Sequence, residues 1–252
     1  MFKYLTSCFI IMISIISCKN SEELNAESII NKSIAETGTF HFAKAKVNFD
    51  FRNISYTSHG ECGNFLFKRE FTKDSAIIID EFDQKTLKRK VNQQHVPVID
   101  SLANLYAESI NSVFYFVQLP YRLNDEATQK KLIGTDTIKG KEYHKIKVTF
   151  QEEGGGQDFE DIYVYWINSK TYQIDYLAYS FLVNGGGIRF REAYNPRKIN
   201  SIQFVDYRNY QPKNKNVSLY DLGKHFENGE LQLISTIEKS SIKVDLHDKD
   251  CF

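Results

Sequence analysis

Glu152, Glu153, Asp158, Glu160 and Asp161 crowd around the triplet Gly154-Gly155-Gly156 and form the first group to examine for chemistry. Hard carboxylate oxygens on a loop suit Ca²⁺, but this spacing matches no calcium loop, and acidic hairpin tips are ordinarily just solvated. General acid–base work needs one carboxyl raised by a cleft, which a hairpin tip does not offer. The six histidines, His41, His59, His95, His144, His225 and His247, form neither HxH nor HExxH, so no zinc signature is present. His144 shares a strand face with Ile146, Val148 and Phe150, the pattern of a core histidine. There is no GxSxG elbow and no phosphate loop. Both glycine triplets, 154–156 and 185–187, lack a strand-to-helix context and read as hairpin turns. Arg189 and Arg191 fall on one strand face with Glu192 opposite. They either hold a carboxylate or phosphate head group or make cross-strand ion pairs. The expectation is a protein without cofactor, metal or catalytic set. A lysine deep in a closed cavity beside a carboxylate would reopen the enzyme reading.

The N-terminal stretch MFKYLTSCFIIMISIISC places Lys3 before an apolar run from Cys8 to Ile16, followed by Ser17 and Cys18. A basic start, a short apolar core and a small residue before the cut describe a secretory signal peptide over residues 1–17. Ile15-Ile16-Ser17-Cys18 also resembles the bacterial lipobox, in which the cysteine is acylated and becomes the new N-terminus. The alternative is an ordinary signal peptide or a short anchor with Cys18 incidental. On the lipobox reading residues 18–252 are one lipid-anchored domain, because several acyl chains hold a membrane firmly. The address is the bacterial cell envelope, and Lys19 rather than Asp after Cys18 points to the outer membrane.

Cys62 and Cys251 then remain, in a compartment that permits disulfides. They either bridge, pinning the C-terminus to an early strand, or stay as free thiols. Neither sits in a CxxC. Subtracting Lys3, the one charged residue of the first 17, from 32 basic residues leaves 31 against 32 acidic. So even a balance excludes a nucleic-acid partner, which requires a dense basic face.

Two periodicities organise the rest. Helical spacing of Leu24, Ile30 and Ile34 predicts a helix over 21–37, stopped by Gly38. A second helix is predicted over 97–118, and its end, SVFYFVQLPY, is apolar nearly all round. Such a segment is buried on all sides or faces a cavity. Strands are predicted at 45–51, 54–59, 63–71, 75–82 and 87–96, and again through 141–194, 201–211, 230–239 and 242–246, with a possible short helix at 218–226. Residues 122–140 read as a polar connection. In 162–167, Ile162, Val164 and Trp166 point one way while Tyr163, Tyr165 and Ile167 point the other. Tyr172, Ile174 and Tyr176 are expected on one face of the next strand and Leu177, Tyr179 and Phe181 on the other. Two apolar faces require cover on both sides, or a cavity on one. The fold class is therefore α+β, mainly antiparallel β, a strongly curved sheet with helices over its concave face.

SVFYFVQLPYRLND, EEGGGQDFED, YVYWIN and GIRFREAYN resemble a family of uncharacterised bacterial lipoproteins over most of the mature chain. More distantly, the order of elements and the hairpin YVYWINSKTYQIDYLAY resemble the outer-membrane lipoprotein carrier (LolA-like) superfamily. That resemblance implies a half-open β-barrel plugged by helices, with acyl chains or lipoproteins as ligands. A tethered relative of soluble carriers would be a lipid-holding protein. Candidate lining residues are Phe114, Phe116, Leu119, Tyr121, Tyr165, Trp166 and Tyr179, with Arg191 as head-group contact. The same aromatics could equally be a packed core, and the alternative function is a scaffold lipoprotein without a small ligand.

Overall fold

Asn25 starts the first helix, α1 (Ala26–Thr37), through a reciprocal cap. Its side chain accepts from the Ser28 amide at 2.9 Å, and Ser28 Oγ accepts from the Asn25 amide at 3.2 Å. Gly38 ends the helix at φ 67, the left-handed conformation that favours glycine. Six strands follow: β1 (Ala45–Phe51), β2 (Ile54–Glu61), β3 (Asn64–Lys73), β4 (Ala76–Phe82), β5 (Leu87–Val91) and β6 (Gln94–Val96). Helix α2 (Asp100–Val117) separates them from β7 (Thr128–Ile138), β8 (Lys141–Phe150), β9 (Ile162–Asn168), β10 (Ile174–Phe181), β11 (Gly187–Ile199) and β12 (Ile202–Pro212). Helix α3 (Leu222–Glu227), β13 (Leu231–Ile237) and β14 (Ser240–Leu246) close the chain. This computed structural model describes residues 24–154, 159–182, 185–214 and 216–247. The signal segment, Cys18 and Cys251 lie outside them, as do Gly155, Gly156 and Asp158.

The strands form two seven-stranded antiparallel sheets, ordered β14-β1-β2-β3-β4-β5-β6 and β13-β12-β11-β10-β9-β8-β7. β13 and β14 are joined through Glu238 and Lys239 alone and edge the two sheets, so the sheets meet there. At the other end β6 and β7 do not pair among the described residues, and the curved wall stays half-open. The expected mainly antiparallel, curved architecture is present, with its strands divided between two sheets.

Helices α1 and α2 lie on one side of this wall. Ile29, Ile30 and Ile34 of α1 join Tyr163, Tyr165, Ile167 and Leu177 of the second sheet in one cluster. Ile110 and Phe114 of α2 join Phe49, Tyr56 and Phe67 of the first sheet in another. On the outer face of the second sheet, Val164, Trp166 and Phe190 are covered by Leu219 and Leu222. The doubly apolar β9 is thus covered on both sides, as its sequence required.

Three expectations change. Residues 87–96, expected as one strand, form the antiparallel pair β5 and β6 about a turn at 92–93. Residues 122–140 are not merely a connection: 128–138 form strand β7 and pair with β8. Its charged, solvent-facing residues and a register shift at 132–134 hide the alternation, although Ile138 is fully buried. In β10, Ile174 and Tyr176 do not share a face. Ile174 packs with Leu177 and Tyr172, while Tyr176 packs on the outer face with Trp166. The register shifts between Ile174 and Tyr176, and one extra residue reverses the alternation.

Candidate functional site

The helix α2 does not fill the space between the sheets. A cavity of about 260 Å³ lies between it and the seam, walled by Phe49, Phe51, Val113, Phe116, Val117, Tyr207 and Ile237, with Arg52, Arg191 and Lys239 as its cations. On the other side of Phe116 a second cavity of about 360 Å³ is bordered by Tyr115, Arg122, Asp125, Phe150 and Tyr163. Phe116 borders both. The smaller cavity has the apolar walls with few placed polar groups usual for small-molecule sites, while the larger falls in their usual volume range of about 300–1,000 Å³ but is lined as much by polar side chains, among them Gln84, Asn111, Arg122 and Asp125.

The seam is built around one carboxylate. Asp206 on β12 is 2% exposed. It accepts from Arg197 Nη1 and Nη2 at 2.9 and 3.0 Å, from Asn195 Nδ2 at 2.8 Å and from the Lys239 amide at 3.0 Å. Arg197 also donates to the Lys239 carbonyl at 2.7 Å. These bonds hold the turn between β13 and β14 and place the Lys239 side chain against the cavity. Burial alone would raise the Asp206 carboxyl, but these hydrogen bonds outweigh it and hold it below its ordinary value. Lys239, 8% exposed, is pushed down to about 8 by burial, with Arg197 and Arg191 adding to the shift and Asp206 opposing it.

Arg191 is also 8% exposed. Its guanidinium lies 3.8 Å from the centre of the Phe116 ring and donates to Tyr179 Oη at 3.0 Å. Phe116 and Tyr179 are in ring contact at 5.6 Å. Three candidates, Phe116, Tyr179 and Arg191, therefore come together beside the cavity.

The others are placed differently. Phe114 is fully buried and stacks on Phe67 at 4.2 Å, a core position. Tyr165 is fully buried, and its hydroxyl pairs with that of Tyr115 at 2.6 Å. Tyr121 packs against the first-sheet cluster beside Phe65, and Leu119 against the second-sheet cluster. Trp166 does not line the concavity. It points to the outer face and donates to Asp136 Oδ2 at 2.8 Å, because the alternation of β9 sends residue 166 opposite to residue 165. Arg189 makes no shared site with Arg191, since it folds back on Phe181 and the Ile188 carbonyl.

Lys239 and Tyr207 were not visible in advance. Lys239 sits in a polar turn, and such a lysine reads as solvated until the two sheets are brought together. Among the described residues no group of three or more histidine, cysteine or acidic side chains is placed to hold a metal. No described helix is long and apolar enough to cross a membrane. Cys62 is in a disulfide, and the other three cysteines, 8, 18 and 251, lie outside the described residues.

The chain is similar in structure to a DUF1329 family protein from Desulfovibrio piger, at 11% identity, TM-score 0.49, covering 87% of this chain and 93% of that one. It is similar to a LolA superfamily protein from Nitrosomonas europaea, at 12% identity, TM-score 0.47, covering 90% and 96%. A putative outer membrane lipoprotein-sorting protein domain from Vibrio parahaemolyticus matches at 8% identity, TM-score 0.47, covering 90% and 97%. Likeness at this level does not extend to function. No curated protein sequence matches the chain closely enough to count as a relative. Residues 6–239 match a family described as one of unknown function, and the chain belongs to that family, DUF6503.

Proposed function

We propose that this chain is a lipid-anchored protein of the bacterial envelope that holds an apolar or acyl-bearing ligand under α2. The observation that carries the reading is the pair of cavities on either side of Phe116, walled by Phe49, Val113, Val117 and Ile237 on one side and Tyr115, Phe150 and Tyr163 on the other. Core aromatics close-pack without such gaps in a protein interior. The signal segment and Cys18 support the address and the anchor. Lys239 beside Asp206 is the kind of pair that would reopen an enzyme reading, but the site is read as a binding one. The amine of Lys239 sits beside Asp206 but is flanked by Arg191 and Arg197, an arrangement suited to attracting an anion.

Native mass spectrometry of protein purified from a periplasm without detergent, with organic extraction of what co-purifies, tests the reading. A stoichiometric lipid or acyl compound supports it. A clean mass that stays unchanged after incubation with envelope lipids rejects it. Phe116→Asp should abolish that ligand while the thermal transition survives, since Phe116 borders open space on two sides; loss of folding alone would assign it to the core.

One observation favours the scaffold reading. Val96, Ile99, Leu102 and Leu105 are 39%, 68%, 40% and 61% exposed, and they lie on edge strand β6 and the start of α2. An apolar row on a free edge is the kind of surface that meets another protein. Crosslinking in cells at Leu105, with the apo mass above, would establish it.

A further inference from the structure

Two buried cations share one wall of the smaller cavity, and neither is fully matched. Arg191 makes no ion pair among the described residues, and its buried Nε has no hydrogen-bond partner there. Among the described residues its side-chain hydrogen bond goes to Tyr179, and its flat face is against Phe116. Among the described residues Lys239 has one carboxylate in reach, Asp206 Oδ1 at 3.6 Å, too long for a hydrogen bond. That carboxylate is already bound by Arg197, Asn195 and the Lys239 amide. Both cations face the same aromatic ring, with Arg191 Cζ 5.9 Å and Lys239 Nζ 5.5 Å from the centre of Tyr207. Arg197 and Arg191 both bear on Lys239, with Asp206 as the opposing charge, and a buried excess of positive charge is costly in apolar surroundings.

The larger cavity beyond Phe116 differs in charge. It carries Glu108 and Asp125 beside Arg122, whose Nε donates to Asp125. The two spaces are therefore one cationic end and one mixed end, separated by an aromatic ring. A guanidinium fork with a free N–H suits the two oxygens of an oxyacid, and an ammonium next to it adds charge without demanding geometry.

We propose that the smaller cavity takes an amphiphile with an acidic oxyacid head, a carboxylate or a phosphate, held between Arg191 and Lys239 with its chain along Phe116 and Val117. This rests on the reading of the chain as a binder of apolar ligands and names the class of ligand. Neutral lipids of the same chain length bind more weakly, because they leave both cations unmatched.

The test uses the mature chain without its acylated residue, residues 19–252, to keep it off membranes, and four probes by calorimetry: palmitate, hexadecyl phosphate, hexadecanol and inorganic phosphate. The expected result is that one or both acidic amphiphiles bind at least about tenfold more tightly than hexadecanol, a difference typical of a charge-assisted contact. Palmitate against hexadecyl phosphate tells carboxylate from phosphate. Arg191→Gln with Lys239→Met should erase the preference, while Arg191→Lys should keep part of it. Hexadecanol binding as tightly as both acids to the unsubstituted site overturns the proposal and leaves the apolar-ligand reading standing. Failure of all three alkyl probes overturns both. Inorganic phosphate binding as tightly as hexadecyl phosphate overturns the amphiphile and leaves an anion site. Melting curves of each variant check folding, and the comparison of probes on the unsubstituted site does not depend on any variant.

Discussion

Lys239 holds an amine where burial disfavours its charge, and this has a measurable signature. Its ordinary value of 10.5 falls to about 8 in the folded protein. Between those two values the unfolded chain binds a proton that the folded chain has shed, so stability from this group rises with pH through that window. The groups facing it are Asp206 and Tyr207 from β12 and Arg191 and Arg197 from β11. Lys239→Met should remove the rise between pH 8 and 10.5 and leave stability at neutral pH equal or higher, as read by urea denaturation across that range. Asp206 shifts in the same direction in an acid window, but there the charged form is the one the fold stabilises. Its carboxyl is held below 3.8, so its contribution is complete above that value and is lost as acid protonates the folded form. Asp206→Asn should cost about 2–4 kcal/mol near neutral pH, because it strips the acceptor from Arg197 and the seam turn. A variant within about 0.5 kcal/mol of the parent would show that the seam is held by packing alone.

At the scale of elements, helix α1 depends on a close approach at its end. Gly38 has φ 67, and a Cβ there would lie 2.1 Å from the Ser201 carbonyl oxygen. Gly38→Ala should therefore destabilise by about 2 kcal/mol or more, from backbone strain and collision together. Chemical denaturation measures it, and a neutral result would mean that α1 shifts off the second sheet without penalty. Both principal helices were legible because Ile30 and Ile34, and Ile110, Val113 and Val117, repeat at helical spacing and meet buried clusters. Strand β7 was not, because Lys130, Lys131 and Asp136 hide a face on which only Ile138 is fully buried. The misplaced Ile174 has a similar cause: a bulge leaves no mark in composition, yet it reverses every side chain beyond it.

For the whole molecule, the closing strand brings the C-terminal end to an early hairpin. Leu246 pairs with Ala45, and the rings of His247 and His59 are 4.9 Å apart, with Cys62 in the following turn. Cys62 is expected to pair with Cys251. Peptide mapping of the unreduced protein should recover a cross-linked fragment containing both, and one joining Cys62 to Cys18 would refute it. Because the bridge would close a loop of nearly the whole domain, reduction should lower stability by about 3–5 kcal/mol.

Local chemistry in the chain was enough to specify most of the antiparallel strands, the two principal helices and the two apolar faces of β9, because period and turn residues act within a few positions. It also offered Phe116, Tyr179 and Arg191 as candidates, since an all-round apolar helix end and an arginine on an aromatic strand are both visible in one dimension, and these three side chains meet beside the smaller cavity. Tertiary structure decided which aromatics became core, sending Phe114 onto Phe67 and Trp166 to the outer face. It also recruited Lys239, whose burial is set by Asp206 and Tyr207, more than thirty residues away in the chain. Charge in a cavity depends on which strands the fold makes adjacent, and no local pattern around Lys239 records that β12 lies beside its turn.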